Sequence, residues 1–151
     1  METPSIYDTL AELSIFEGMP PEYLEFLADC AHHVHFKEGA FLIYISKPAT
    51  HFYLIRKGQV ALEMDAANKI VTLQTVGEGS VVGWSWMVPP YTWHFDARAA
   101  EPVSAISFDA VRIREECERD PRFGYQMLKR FSSIMIDRLM ATRVQLADVY
   151  L

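Results

Sequence analysis

Tyr53-Leu54-Ile55-Arg56-Lys57-Gly58-Gln59-Val60-Ala61-Leu62 is the stretch whose reading decides the fold. An apolar run from His51 to Ile55 meets the polar turn Arg56-Lys57-Gly58-Gln59, and a second run, Val60 to Met64, leaves it. Two short apolar runs around a glycine-bearing turn read as strand, turn, strand.

The same grammar repeats outward. On the N-terminal side, Val34 and Phe36 alternate with His33, His35 and Lys37 in a half-buried strand that begins at His32 and turns at Glu38-Gly39. Phe41 to Ile45 is a more buried strand, turned by Lys47-Pro48-Ala49-Thr50. On the C-terminal side, Asp65 to Lys69 is a polar hairpin loop before Ile70 to Val76, and Gly77-Glu78-Gly79-Ser80 breaks that strand. Thr92 to Ala100 and Val103 to Phe108 are the last strands, joined by Glu101-Pro102. Short strands at regular spacing with turn chemistry between them predict a β-roll, barrel or sandwich.

Helical period flanks this β region. Thr3-Pro4 reads as a cap and first turn, followed by Ile6, Leu10 and Leu13 at helical spacing. Ser14 to Pro21 is a turn that carries Phe16 as an apolar plug. Pro21 to about Ala31 is a second short helix with Tyr23, Leu24, Leu27 and Ala28 inward. Asp109 is expected to cap a helix to about Glu118. Asp120-Pro121 starts another that runs, without a further proline, for more than about 25 residues, or roughly 40 Å.

Half of the 151 residues are hydrophobic and 23% are charged, the balance of one soluble domain. A net charge of −6 argues against a general nucleic-acid or anionic-membrane surface. Eight of the fourteen basic residues fall from Arg112 onward, interleaved with acids, and read as a solvated mixed face. Cys30 and Cys117 read as free thiols of a reducing compartment. The start lacks the regions of a signal peptide, and no apolar run spans a bilayer, so a cytoplasmic location is expected.

Two N-terminal helices, an eight-stranded jelly-roll-like roll (a double-stranded β-helix) and C-terminal helices ending in a long one resemble the cyclic nucleotide-binding domain family. The resemblance is carried by Leu13-x-x-Phe16, Phe36-x-x-Gly39-x-x-Leu42 and above all Tyr53-x-Ile55-x-x-Gly58-x-Val60-x-Leu62. Gly77 and Gly83, Ala97-x-Ala99 and Asp120-Pro121 extend it over nearly the whole chain. One departure is early: the glycine usual in the second turn is replaced around Ser46-Lys47. The resemblance implies one domain, with helices over 1–31, the roll over 32–108 and C-terminal helices over 109–151.

It also implies a ligand-binding cassette in Val81 to Phe95, which holds all three tryptophans. In the family a glycine lets backbone amides approach a cyclic phosphate, a glutamate accepts from the ribose hydroxyl, and an arginine pairs with the phosphate. Gly83 matches the glycine. The glutamate position falls on Trp84, and the arginine position falls near Tyr91 or Thr92. No arginine lies between Gly83 and Ala97; Arg98 is the one nearby cation. Loss of the ion pair and of the ribose bond costs about a few kcal/mol each, so ordinary cAMP or cGMP binding is in doubt.

Trp84, Trp86, Tyr91, Trp93, His94 and Phe95 stand in place of those anchors. They read in three ways: side chains that fill the old pocket, a reshaped site for a planar or cationic small molecule, or a protein contact patch. The candidate ligand-binding set is Gly83, Trp84, Ser85, Trp86, Tyr91, Thr92, Trp93 and Arg98. No cofactor is fixed by the sequence; a ligand of this set would be a cyclic nucleotide, held through backbone amides, Ser85, Thr92 and Arg98, or another small planar molecule.

The remaining constellations carry no chemistry. Gly83-Trp84-Ser85-Trp86-Met87 lacks the second glycine of a nucleophile elbow. His32, His33 and His35 have no cysteine or carboxylate at ligand spacing, so no metal is expected. No Walker or Rossmann loop is present and no nucleophile–base pair is visible, so a non-enzyme is expected. No helix-turn-helix follows before Leu151, and direct nucleic-acid contact is not expected. Phe131, Met135, Leu139, Thr142 and Leu146 form a stripe on the last helix, widened by Met127, Ile134 and Val144. The resemblance implies that this stripe pairs a homodimer in coiled-coil fashion. The expected function is a regulatory small-molecule-sensing module, with a possible protein partner. The alternative is a ligand-free interaction module that kept the fold and filled the pocket with aromatics.

Overall fold

The computed structural model describes residues 4–150. Thr3, expected to cap the first helix, lies outside the described residues. Ser5 is the cap instead, its hydroxyl accepting from the Asp8 amide at 3.1 Å ahead of α1 (Ile6–Ala11). A 3-10 turn over Ser14–Phe16 follows, and its Phe16 is buried as the plug. Helix α2 (Pro21–Asp29) buries Leu24 and Leu27.

Eight strands come next: β1 (Ala31–Phe36), β2 (Phe41–Ile43), β3 (His51–Lys57), β4 (Val60–Ala66), β5 (Lys69–Val76), β6 (Val81–Val82), β7 (Asp96–Ala99) and β8 (Val103–Asp109). They form two four-stranded antiparallel sheets, ordered β1-β8-β3-β6 and β2-β7-β4-β5. Consecutive strands therefore alternate between sheets, as in a jelly roll, except at the β4–β5 hairpin, which stays within one sheet. The strand–turn–strand stretch crosses from one sheet to the other at Gly58. Its φ is +98°, and a Cβ there would stand 2.4 Å from the Pro102 carbonyl oxygen, so only glycine fits.

Other turns keep their geometry without glycine. Ser46, where the family's glycine is missing, still adopts φ +70°. The β4–β5 hairpin turns on Ala67 (φ +52°) and Asn68 (φ +65°), both positive as a two-residue type I′ turn demands. The long strand expected from Thr92 begins only at Asp96, because residues 92–95 belong to the cassette.

The core gathers on Phe52. Its ring stacks on Phe108 at 4.6 Å and on Trp86 at 5.0 Å, and meets Phe131 edge-on at 5.2 Å. Asp109 caps α3 (Ala110–Arg119), accepting from the Arg112 amide at 3.1 Å. Asp120 takes the Arg122 amide at 3.1 Å at the start of α4 (Pro121–Tyr150). The first half of α4 buries Phe123, Met127 and Phe131 completely.

This burial corrects the stripe. Phe131 cannot meet a second chain, because its ring is wedged against Phe52 and Trp86; Met127 is likewise core, and Met135 packs against the core. Leu139, Thr142 and Leu146 are exposed as expected, with Ile136, Met140 and Val144 beside them. The distal half of α4 lies along the edge strand β5, where Gln145 donates to the Leu73 carbonyl at 3.2 Å.

Candidate functional site

The cassette leaves β6, makes a 3-10 turn over Ser85–Met87, passes a cis peptide between Pro89 and Pro90, and enters β7. Gly83 has φ +103°, a conformation that side chains resist. A Cβ there would lie 2.5 Å from Trp93 Cη2 and 2.7 Å from Cζ3. The Trp93 indole therefore lies directly on the glycine that the family uses to approach a phosphate. Phe95 packs beside it at 6.5 Å, Trp84 flanks Phe95 at 6.3 Å, and Ile43 closes the far side. The roll interior at Gly83 is thus occupied by the cassette's own aromatic side chains.

The expected site residues separate into groups. Gly83, Trp84 and Trp93 come together. Ser85 is buried at the start of the 3-10 turn. Thr92 sits at an isolated bridge to Pro48, and Tyr91, with φ +57°, is held by a bond from the Ala49 amide to its carbonyl at 2.7 Å. Trp86 is no ligand contact. It is fully buried between Phe52 and Phe131, on the core side of the chain, because the 3-10 turn rotates it away from Trp84.

Arg98 also leaves the set. On β7 the buried Ala97 and Ala99 face the interior, so Arg98 points outward. There it binds Glu63 through two bonds of 2.9 and 3.0 Å. These hydrogen bonds and the carboxylate charge raise the Arg98 pKa. Glu63 is buried, so the pair satisfies a carboxylate that would otherwise be stranded.

Two arginines that read as part of a solvated helix face do reach the cassette. Arg114 of α3 donates to the Trp86 carbonyl at 2.9 Å and lies 4.1 Å over the Tyr91 ring. Arg138 of α4 donates to the Val81 carbonyl at 2.6 Å and lies 5.3 Å over the Trp84 ring. Burial pulls the Arg138 pKa down. A hydrogen bond to a charged group contributes about 1.5–3 kcal/mol, and a partly desolvated cation–π contact about 1–2 kcal/mol. Each C-terminal helix is therefore tied to the cassette by one guanidinium. No sequence signal marks these two among eight similar basic residues; only the crossing of helix over cassette selects them.

Among the described residues, no group of three or more side chains is placed to hold a metal, and no helix is long and apolar enough to cross a membrane. Cys30 and Cys117 are unpaired.

An antiparallel roll whose cassette leans on the C-terminal helices defines the architectural class. The family model for the cyclic nucleotide-binding domain matches residues 33–120, more than half of the chain. This chain belongs to the cyclic nucleotide-binding domain family. The CRP-like cAMP-activated global transcriptional regulator of Mycobacterium tuberculosis is 25% identical over 143 residues, which cover 94% of this chain and 62% of that protein. The chain thus spans under two thirds of the curated relative's length. The fold is shared with a protein of Geobacter metallireducens GS-15 assigned to the cyclic nucleotide-binding proteins (TM-score 0.81, 24% identity, 92% of this chain and 99% of that one). It is shared too with a cyclic nucleotide-binding domain of Methylobacillus flagellatus KT (TM-score 0.79, 19% identity, 97% and 83%). The regulatory domain of Toxoplasma gondii PKA, crystallised with cAMP, matches more loosely (TM-score 0.69, 15% identity, 85% and 48%).

Proposed function

We propose that this chain is a non-enzymatic regulatory module that senses a small molecule beside its cassette and reports through α4. One observation carries the reading. Arg138 of α4 holds the Val81 carbonyl and the Trp84 face together, so the cassette cannot move without disturbing the helix. Membership of the family, and the name of the mycobacterial relative as a cAMP-activated regulator, support a signalling role over the shared stretch. The anchors differ from those the family uses. Trp84 stands at the acceptor position, Trp93 covers Gly83, and Arg98 is engaged by Glu63 on the outer face. Tight cAMP or cGMP binding inside the roll is therefore not part of the reading.

The output is a homodimer formed by the distal half of α4, where Ile136, Leu139, Met140, Val144 and Leu146 expose apolar surface on one long helix.

The test is hydrogen exchange on the free protein. Arg138→Gln should speed exchange in the segment from Val81 to Met87 as well as in α4 around residue 138. Faster exchange confined to α4 would refute the coupling. Tryptophan fluorescence and thermal shift with cAMP and cGMP run in parallel. No saturable change is expected below about millimolar nucleotide; a micromolar response would show that the lost anchors have been replaced within the roll.

A further inference from the structure

The roll interior at Gly83 is full, but a groove of about 850 Å³ opens next to the cassette. Its walls are the N-terminal 3-10 turn at Ser14 and Ile15 with Glu17 and Gly18 after it, the end of β5 with the turn into β6, and α4 from Gln126 to Arg138. Lys129, Arg130 and Arg138 all line it.

Among the described residues Arg130 and Arg138, like Arg114 outside this groove, are paired with no carboxylate. Arg98, Arg112 and Arg119 each bind a carboxylate. Arg130 donates only to neutral acceptors, the Glu17 carbonyl at 2.7 Å and the Gln126 side-chain oxygen. Arg138 donates only to the Val81 carbonyl. Arg130 Nε and Arg138 Nη1 are buried and have no hydrogen-bond partner among the described residues. A buried guanidinium nitrogen without an acceptor, in a group with no counter-charge, is costly, and the lowered pKa of Arg138 is one expression of that cost. Two such groups on one helix, facing one groove, are what an anion relieves.

Their spacing restricts the anion. Arg130 and Arg138 are eight positions apart, about 12 Å along the helix axis at 1.5 Å per residue. At that separation of their backbone positions, a ligand charged at two points meets both arginines without drawing their side chains together. A small molecule with phosphoryl groups at two points spans them, and the groove's volume suits a ligand of that size. Glu17 and Asp137 also line the groove, and their carboxylates are acceptors for hydroxyl or amino groups of a ligand.

We propose that this groove is an anion site, built by Arg130 and Arg138 of α4, that takes a small organic ligand bearing two phosphoryl groups. The inference rests on the sensory reading above, because the ligand would seat on the same Arg138 that touches Trp84. It moves the anion anchor from the cassette, where the family pattern expects it, to the terminal helix. Binding would then pull Arg138 Nη1 toward the ligand and change the contact with Trp84.

The test uses calorimetry and tryptophan fluorescence on the full chain at constant ionic strength. The probes are fructose 1,6-bisphosphate and adenosine 3′,5′-bisphosphate, whose phosphoryl groups sit at separate points, with inorganic phosphate and sulfate for comparison. At least one bisphosphorylated probe should bind at least about tenfold more tightly than phosphate or sulfate. Arg130→Gln and Arg138→Gln should each weaken that binding by at least about tenfold, the loss of one charge-assisted bond. Arg143→Gln, on the exposed face of α4 outside the groove, should leave it unchanged. If the glutamine variants do not fold, Arg130→Lys and Arg138→Lys keep the charge but lose the fork, and should still weaken binding. No response from either bisphosphorylated probe up to about 10 mM, a scale far weaker than cellular recognition needs, would overturn the proposal. So would equal binding of sulfate, which would mean an adventitious ion only, and so would wild-type affinity in the Arg130 and Arg138 variants. The hydrogen-exchange test of the sensory reading is made without ligand, so either idea can fail alone.

Discussion

Gly83→Ala separates a filled roll from an open one. Two costs arise at this site. The first is conformational: φ of +103° is a region that residues with a Cβ avoid, a strain of about 1–3 kcal/mol. The second is steric. The new Cβ would lie 2.5 and 2.7 Å from Trp93 Cη2 and Cζ3, and Trp93 is buried and cannot swing away. Overpacking of this kind costs about 1–3 kcal/mol. Together they come to roughly 2–6 kcal/mol, against a total stability of about 5–15 kcal/mol for a domain. The melting temperature should fall by roughly 4–24 °C for a chain of this size. Trp93→Phe isolates the steric part, because Cη2 and Cζ3 belong to the benzo ring that phenylalanine lacks. Urea unfolding of wild type, both single variants and the double variant closes the cycle. The double variant should be more stable than the sum of the single effects predicts, by about 1–3 kcal/mol. Additive effects, or a Gly83→Ala variant within about 0.5 kcal/mol of wild type, would mean that the indole does not lie on Gly83.

The other predictions concern α4, the outer face and the thiols. Phe131→Ala should cost about 3–5 kcal/mol in unfolding experiments, because the ring is buried against Phe52 and Trp86. Leu139→Arg, at a side chain 58% exposed, should leave stability within about 0.5 kcal/mol but halve the mass in light scattering; an unchanged mass would refute the α4 dimer. Arg98→Ala should destabilise more than Glu63→Gln, since only the former strands a buried carboxylate; the reverse order would contradict the pairing. Burial pushes the Cys30 thiol up to about 11 and the Cys117 thiol up to about 12. At pH 8 neither should react with a thiol reagent until the protein unfolds. Their contribution to stability should be fully present below the unfolded thiol pKa, and lost as pH rises through the folded values, because the unfolded thiols ionise first.

The sequence by itself determined most of the architecture. Alternating strands, glycine turns and capping residues are local signals, and Asp109, Asp120 and Gly58 act where they were read, through neighbours a few positions away. It also determined what the cassette lacks, since absence of an arginine between Gly83 and Ala97 needs no coordinates. Only the tertiary structure decided where the side chains point. Trp86 and Trp84 are two residues apart, yet one is core and the other faces an arginine, because a 3-10 turn rotates the chain between them. Phe131 looks like the head of a dimer stripe until the roll is folded beneath it. Arg98 faces away from the cassette because strand alternation is fixed by the sheet it joins. Arg114 and Arg138 are indistinguishable in sequence from solvated helix residues. They become ties to the cassette only because α3 and α4 cross it, and that crossing depends on contacts between positions some 25 to 60 residues apart, which no local pattern records.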